Sequence, residues 1–218
     1  MNVLIACEES QEVCKAFREK GHRAFSCDVQ PCSGGHPEWH IQGDVLPLLN
    51  GNCTFQTADI HTHTQAGRWD LLIAFPPCTY MTNAGAVRMR VNGEIQKDRY
   101  AKAMDAKEFF LKFYNADCQR IAIENPTPMR IVELPQYSQV IQPYEFGHPY
   151  SKRTCLWLRG LPPLFPTDIL SWHEPYVNGG CKDAHGNYLQ YKGRGERDPK
   201  TRSKTFTGVA RAMAEQWG

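Results

Sequence analysis

The chain has 218 residues, 41% hydrophobic and 22% charged, a balance that argues against extended disorder and suits one α/β domain over residues 1–218. Its formal net charge of +2 names no partner by itself, because nucleic-acid binding depends on where positive charge is concentrated. Apolar runs such as LLIAF fall far short of the roughly 18 residues of a membrane span, and MNVLIACEES lacks the basic start of a signal peptide.

A cytoplasmic protein without membrane contact is therefore expected. Nine cysteines, an odd and scattered set, read as reduced thiols, most of them small buried apolar side chains. Positive charge gathers late in the chain: between Lys182 and Lys204 seven Lys or Arg face three acids.

In chain order, NVLIAC reads as a buried strand, and SQEVCKAFREKGH as a helix starting near Ser10 and Glu12 and stopping at Gly21. Val13, Phe17 and the aliphatic part of Lys20 form its inner side. RAFSCDV is a second strand ending in Asp28, and this strand, helix, strand order is the unit of parallel sheets. QPCSGGHPEWHIQGDVLPLL reads as loop with a short strand leading to Gly43 and Asp44. Residues 51–67 read as an exposed polar connection. WDLLIAF is the next strand. DRYAKAMDAKEFFLKFYNAD is a helix with Ala103, Met104, Phe109, Phe110, Phe113 and Tyr114 along one side. RIAIEN delivers Glu124 and Asn125 at a strand end, where Pro126 and Pro128 stop it. KRTCLWLRG is a strand, LPPLFPTDI an extended loop, and FTGVARAMAEQWG an amphipathic closing helix on Val209, Met213 and Trp217.

Ligands of open parallel sheets bind beyond the carboxyl ends of the strands. That edge here receives Cys7 to Ser10, Asp28, Asp44, Pro77 with Cys78, and Glu124 with Asn125. Asp28 lies about 20 residues beyond the first turn, the place of a ribose-binding acid. The first loop, ACEESQ, has no glycine to bring backbone against a pyrophosphate, and two glutamates there repel phosphates. An adenosine cofactor without phosphates suits it better. S-adenosylmethionine is one, its sulfonium attracted by Glu8 or Glu9, unless these are simply exposed helix-start acids. Cys78 is either a packing residue or a nucleophile set on a loop by Pro76 and Pro77, provided a nearby cation or backbone N–H groups lower its pKa.

FPPCTYMTNAG resembles the Pro-Pro-Cys motif of cytosine-5 DNA methyltransferases, and IENP resembles their Glu-Asn motif. GGHPEWHIQGDV, YSKRTCLWL and RSKTFTGVARAMAEQWG extend the likeness over nearly all of the chain, most closely to the compact DNA cytosine methylase-like proteins of bacteria and their phages. The resemblance implies a Rossmann-like S-adenosylmethionine-dependent methyltransferase fold with a mostly parallel sheet and a much reduced target-recognition segment. It implies cofactor contacts from Ala6, Cys7, Glu8, Glu9 and Ser10, from Asp28 and Val29, from Asp44 and Val45, and from Pro76. It implies catalysis by Cys78, Glu124, Asn125 and Arg153. Cys78 would add to carbon 6 of a cytosine flipped out of DNA, and Glu124 would hold a proton at ring nitrogen 3. Asn125 would hold the loop that bears Cys78, and Lys152 or Arg153 would supply a basic group.

Departures from the family accompany the likeness. Glycines are missing from the first loop, Thr79 follows Cys78 where Gln is common, and Thr154 replaces an arginine. Residues 160–204, about 45 in all, stand where the family carries a recognition domain. They are either a reduced recognition loop, with YKGRGERDPKTRSK on phosphates and Trp172, Tyr176 or Tyr188 on bases, or a solvated basic loop. Zinc on Cys27, Cys32, His36 and His40 is disfavoured by their spacing, and His61 and His63 read as solvent-facing. Two alternatives to DNA methylation stay open: an enzyme acting on a free pyrimidine nucleotide, and a non-catalytic binding protein on a cofactor fold. The intact pair of Cys78 and Glu124 favours activity.

Overall fold

A computed structural model describes residues 1–176 and 198–218. Seven strands make the central sheet: β1 (Asn2–Ala6), β2 (Arg23–Asp28), β3 (His40–Gln42), β4 (Leu71–Ala74), β5 (Ile121–Pro126), β6 (Gln139–Ile141) and β7 (Thr154–Arg159). Their order across the sheet is β6-β7-β5-β4-β1-β2-β3. The pairs β3–β2, β2–β1, β1–β4 and β4–β5 are parallel, while β7 runs antiparallel to both β5 and β6. This is an α/β, Rossmann-like, mostly parallel sheet. From β1 the chain winds outward one way to β3 and then the other way to β5, so the crevice between the ends of β1 and β4 is the topological switch point.

The strands are apolar on consecutive residues because both faces of the sheet are covered. Val3, Ile5, Leu71 and Ile73 pack under helices α1 (Glu12–Glu19) and α4 (Thr207–Trp217), with Phe17, Met213 and Trp217 fully buried there. Leu4, Leu72, Ile123 and Trp157 face the other way, towards α2 (Lys97–Tyr114), which contributes Phe110 and Phe113. A short helix, α3 (Pro199–Ser203), precedes α4. No described helix is long and apolar enough to cross a membrane.

Five expectations change in detail. Lys20 is exposed and pairs with Glu215 on α4, so the inner side of α1 ends at Phe17. Tyr114 is exposed at the end of α2. The stretch read as a loose connection is an antiparallel hairpin, Cys53–Gln56 with Thr62–Gln65, which buries Phe55. His63 packs against Phe25 and Phe55 at 4.9 and 5.7 Å between ring centroids, whereas His61 stays exposed beside Asp59. Pro126 does not stop β5; it pairs with Thr154 as the last residue of that strand.

Candidate active site

At the β1–β3 end, Cys7 turns the chain in the left-handed region (φ 59°), with its N–H donating to the Cys27 carbonyl at 2.7 Å. Burial pushes the Cys7 thiol up, and the charges of Asp28 and Asp44 push it further, so the two carboxylates share one corner with it. Asp28 accepts from the Gln30 N–H at 2.9 Å and Asp44 from the Leu46 N–H at 3.0 Å. Val29 is 72% exposed beside Asp28, and Val45 is buried. Acids that can accept from sugar hydroxyls next to an open apolar side chain suit a nucleoside. Their negative charge disfavours a pyrophosphate, which agrees with a phosphate-free adenosine cofactor.

Glu8 is not an exposed helix-start acid. It is 4% exposed, and its carboxylate accepts the N–H groups of Val13 and Cys14 at 2.6 and 3.2 Å, capping α1. Burial outweighs those bonds and raises its pKa to about 7. Glu8 therefore faces α1, and its pull on a sulfonium is not what its position serves. The helix cap expected at Ser10 is taken by Glu8 instead. Glu9 is buried, and its carbonyl accepts from Ser33 at 2.9 Å. Gln11, fully buried, exchanges hydrogen bonds with the His36 backbone at 2.8 and 3.1 Å. A Cβ at Gly34 would lie 2.5 Å from both the Gln11 Cβ and the Ser10 carbonyl, so this loop seats directly on the first one only because residue 34 is glycine. Ala6, the last residue of β1, is buried in the core.

Three of the residues considered for zinc, His40, His36 and Cys27, have separate partners. His40 is bonded to Ser26 and the Gln30 carbonyl at 2.9 Å each, and His36 stacks on Trp39 at 3.8 Å. The Cys27 thiol points to the Gly43 carbonyl.

The second half of the site lies past β4 and β5. Pro76 is buried, and its carbonyl accepts from the Asn125 side-chain amide at 3.1 Å; Asn125 itself is fully buried. The strand that carries Glu124 thus also ties down the loop that carries Cys78. Further bonds hold that loop: Met81 N–H to the Cys78 carbonyl (3.1 Å), Asn83 N–H to the Thr127 carbonyl (3.0 Å), and Met129 N–H to the Met81 carbonyl (2.7 Å). Arg99 of α2 donates to the Thr79 carbonyl at 3.3 Å and lies 5.2 Å from the Tyr80 ring. Asn125→Ala should cost about 1–3 kcal/mol, the range for a buried group that loses its partner. Urea unfolding would measure it, and an unchanged midpoint would show that the Pro76 tether contributes nothing.

Cys78 is half-buried. Burial raises its thiol pKa first and the Glu124 charge second, while Lys152 and Arg202 pull it down. Burial raises the Glu124 carboxyl and Lys152 lowers it. A thiol, a carboxyl and an ammonium therefore act on one another at the sheet's edge. Glu124 borders a small cleft lined also by Phe75, Lys152, Lys204, Thr205, Phe206 and Val209.

Of the two basic residues weighed in YSKRT, Lys152 lines this cleft beside Lys204, a correction to the expected Arg153. Both residues precede β7, and Arg153 instead donates to the Thr127 hydroxyl and the Tyr137 hydroxyl at 3.1 Å each.

Reasoning from the sequence named Arg202, Ser203 and Lys204 only within the basic stretch YKGRGERDPKTRSK and did not bring them, or Thr205 and Phe206, beside Glu124. The hydroxyl-rich SKTF before the last helix is the available signal. Of the proposed base-stacking residues, Trp172 is 65% exposed, whereas Tyr176 packs on Tyr150 and Phe206 at 5.1 and 4.8 Å. Tyr188 and the basic residues Lys182, Lys192, Arg194 and Arg197 lie outside the described residues.

No protein-family model matches the chain, and no curated protein does. Among solved structures, similarity is found to a DNA modification methyltransferase encoded within an Escherichia coli prophage, at 12% identity and TM-score 0.43, over 78% of this chain and 52% of that one. Dnmt2 methyltransferase of S. pombe follows at 13% identity and TM-score 0.37, over 75% and 51%. The Entamoeba histolytica methyltransferase EhMeth has 11% identity and TM-score 0.38, over 84% and 61%. The chain thus spans about half to three-fifths of the length of these structures, at a distance where likeness says nothing of activity.

Proposed function

We propose that this protein transfers a methyl group from S-adenosylmethionine to carbon 5 of cytosine in DNA. The observation that carries the reading is the Asn125–Pro76 bond, which joins the Cys78 loop to the strand bearing Glu124. The bound cofactor supplies an electrophilic methyl group, for which Asp28, Val29 and Asp44 are the residues suited to hold the nucleoside end. Cys78, as thiolate, adds through Sγ to carbon 6 of the base. Glu124, carrying its proton, gives it to ring nitrogen 3, so electron density moves to carbon 5, which takes the methyl. Solvent water takes the carbon 5 proton, ring nitrogen 3 gives its proton back to Glu124, and the electrons re-form the double bond as the bond from sulfur to carbon 6 breaks, returning the thiolate. Lys152 supports both residues through its charge: it favours the thiolate of Cys78 and keeps the Glu124 proton mobile.

A base inside a duplex cannot meet Cys78 without leaving the stack. The chain just after Cys78 supports a polyanionic substrate. Residues 88–102 hold five Lys or Arg against two acids. They include a two-stranded hairpin, Arg90–Val91 with Glu94–Ile95, near which Val87 and Val91 are 82% and 50% exposed. Arginines beside exposed apolar side chains suit phosphates and splayed bases. The experiment is transfer of labelled methyl groups to duplex DNA, single-stranded DNA and free dCMP. Label in DNA is the expected result, dCMP alone would move the assignment to a nucleotide enzyme, and no label in any of the three would overturn it.

A further inference from the structure

The cleft beside Glu124 carries more positive charge than the proposed proton transfer uses. Lys152 and Lys204 both line it, and Glu124 is its single carboxyl group. Burial favours the neutral form of that carboxyl. Among the described residues neither lysine forms an ion pair. Lys152 spends one N–H on the Arg202 carbonyl at 2.9 Å, which leaves two donors and holds the ammonium in place. Ser203 and Thr205 bring hydroxyls to the same wall, over a floor that includes Phe75, Val209 and Met213.

The wall is built in advance. The Gly208 N–H donates to His148 Nε2 at 2.9 Å, and a Cβ at Gly208 would fall 1.9 Å from the Phe146 carbonyl oxygen, so the chain can pass there only as glycine. Phe206 packs on His148 and Tyr176 at 5.0 and 4.8 Å, and the Lys152 ammonium lies 5.8 Å from its ring. Two ammonium groups and two hydroxyls over an apolar floor match a compact oxyanion attached to an apolar or aromatic body.

We propose that this cleft contains an oxyanion subsite, formed by Lys152, Lys204, Ser203 and Thr205, that holds a phosphate or carboxylate group of a ligand whose reacting part meets Glu124. It deepens the reading above and rests on it for the identity of the ligand, with two sources for the group. A phosphate would belong to the nucleotide being modified, and a carboxylate to the methionine end of the cofactor.

Calorimetric titration separates these, comparing dCMP with deoxycytidine and S-adenosylhomocysteine with 5′-methylthioadenosine. The wild type should prefer the charged member of one pair. Lys204→Gln and Lys152→Gln should each weaken that member about tenfold or more and leave its uncharged counterpart unchanged. A response in the first pair assigns a phosphate subsite, and a response in the second a carboxylate subsite. Variants that leave both pairs unaltered, or weaken charged and uncharged members alike, would overturn the proposal. Lys204 lies between α3 and α4, so its variant carries the test even if Lys152→Gln fails to fold. Turnover is not needed, so an intact subsite without methyl transfer would reject the reaction and keep the subsite.

Discussion

Cys78→Ala is expected to reduce methyl transfer by roughly 10⁴-fold or more, since removing a nucleophile takes away the step that activates carbon 5. Folding should be nearly unaffected, because Cys78 sits half-buried on a loop whose ties run through Asn125, Thr127, Met129 and Arg99 rather than through the thiol. A covalent test accompanies the kinetic one. An oligonucleotide with fluorine at carbon 5 has no proton to lose there, so the sulfur adduct forms, accepts the methyl group and cannot collapse. Wild type should survive denaturing electrophoresis as a cross-linked complex, and the alanine variant should not. Full transfer by Cys78→Ala would remove the thiolate mechanism altogether.

Glu124→Gln carries the second large effect, a loss of about 10²–10⁴ in rate, the usual worth of a positioned proton donor. Its pH dependence is more diagnostic than its size. Burial raises the Glu124 carboxyl, and burial with the Glu124 charge raises the Cys78 thiol. The working form of this coupled pair holds one proton. At low pH both groups are protonated, and at high pH neither is, so kcat/KM should be bell-shaped, and Glu124→Gln should lose the basic limb, leaving a rate that only rises with pH. The Glu124 contribution to stability should instead fall steadily as the pH rises. The folded chain binds the Glu124 proton more tightly than the unfolded chain does. That contribution is fully present below the ordinary Glu pKa and is lost as the pH rises through the raised folded value. Glu124→Gln should therefore gain stability relative to wild type from about pH 4 to a pH above the raised folded value. Urea midpoints that keep the same separation at both pH values would show that Glu124 titrates normally.

Particular elements explain how far the chain could be read without its structure. β1 and β4 are legible because central parallel strands are buried on both faces and so are written as unbroken apolar runs, and β2 and β5 are legible from shorter ones, broken by Ser26 and ended by Glu124. Helix α4 shows in the spacing of Val209, Met213 and Trp217, all buried. β6 (Gln139–Ile141) went unread because it is a short strand at the sheet's edge, half-exposed and beginning with a polar residue. The hairpin at residues 53–65 reads as loop because its exposed face is polar and only alternate residues such as Phe55 turn inward.

Which chemical groups reach the carboxyl edge of the sheet can be read along the chain: Asp28, Cys78, Glu124 and Asn125 each close or follow an apolar run, and Asp44 follows the short strand HIQ. Local order suffices for that, because a strand's end is marked in the residues themselves. What those groups meet depends on how separate elements pack. Glu8 became a helix cap because the first loop turns back at Cys7. Lys152 rather than Arg153 entered the Glu124 cleft because its ammonium is held by the Arg202 carbonyl, while Arg153 is taken by the hydroxyls of Thr127 and Tyr137. Lys204 came to the same cleft from a segment distant in sequence, brought there as α4 buried Met213 and Trp217 against the sheet. Pairings of this kind depend on how separate elements pack, and no local pattern along the chain encodes them.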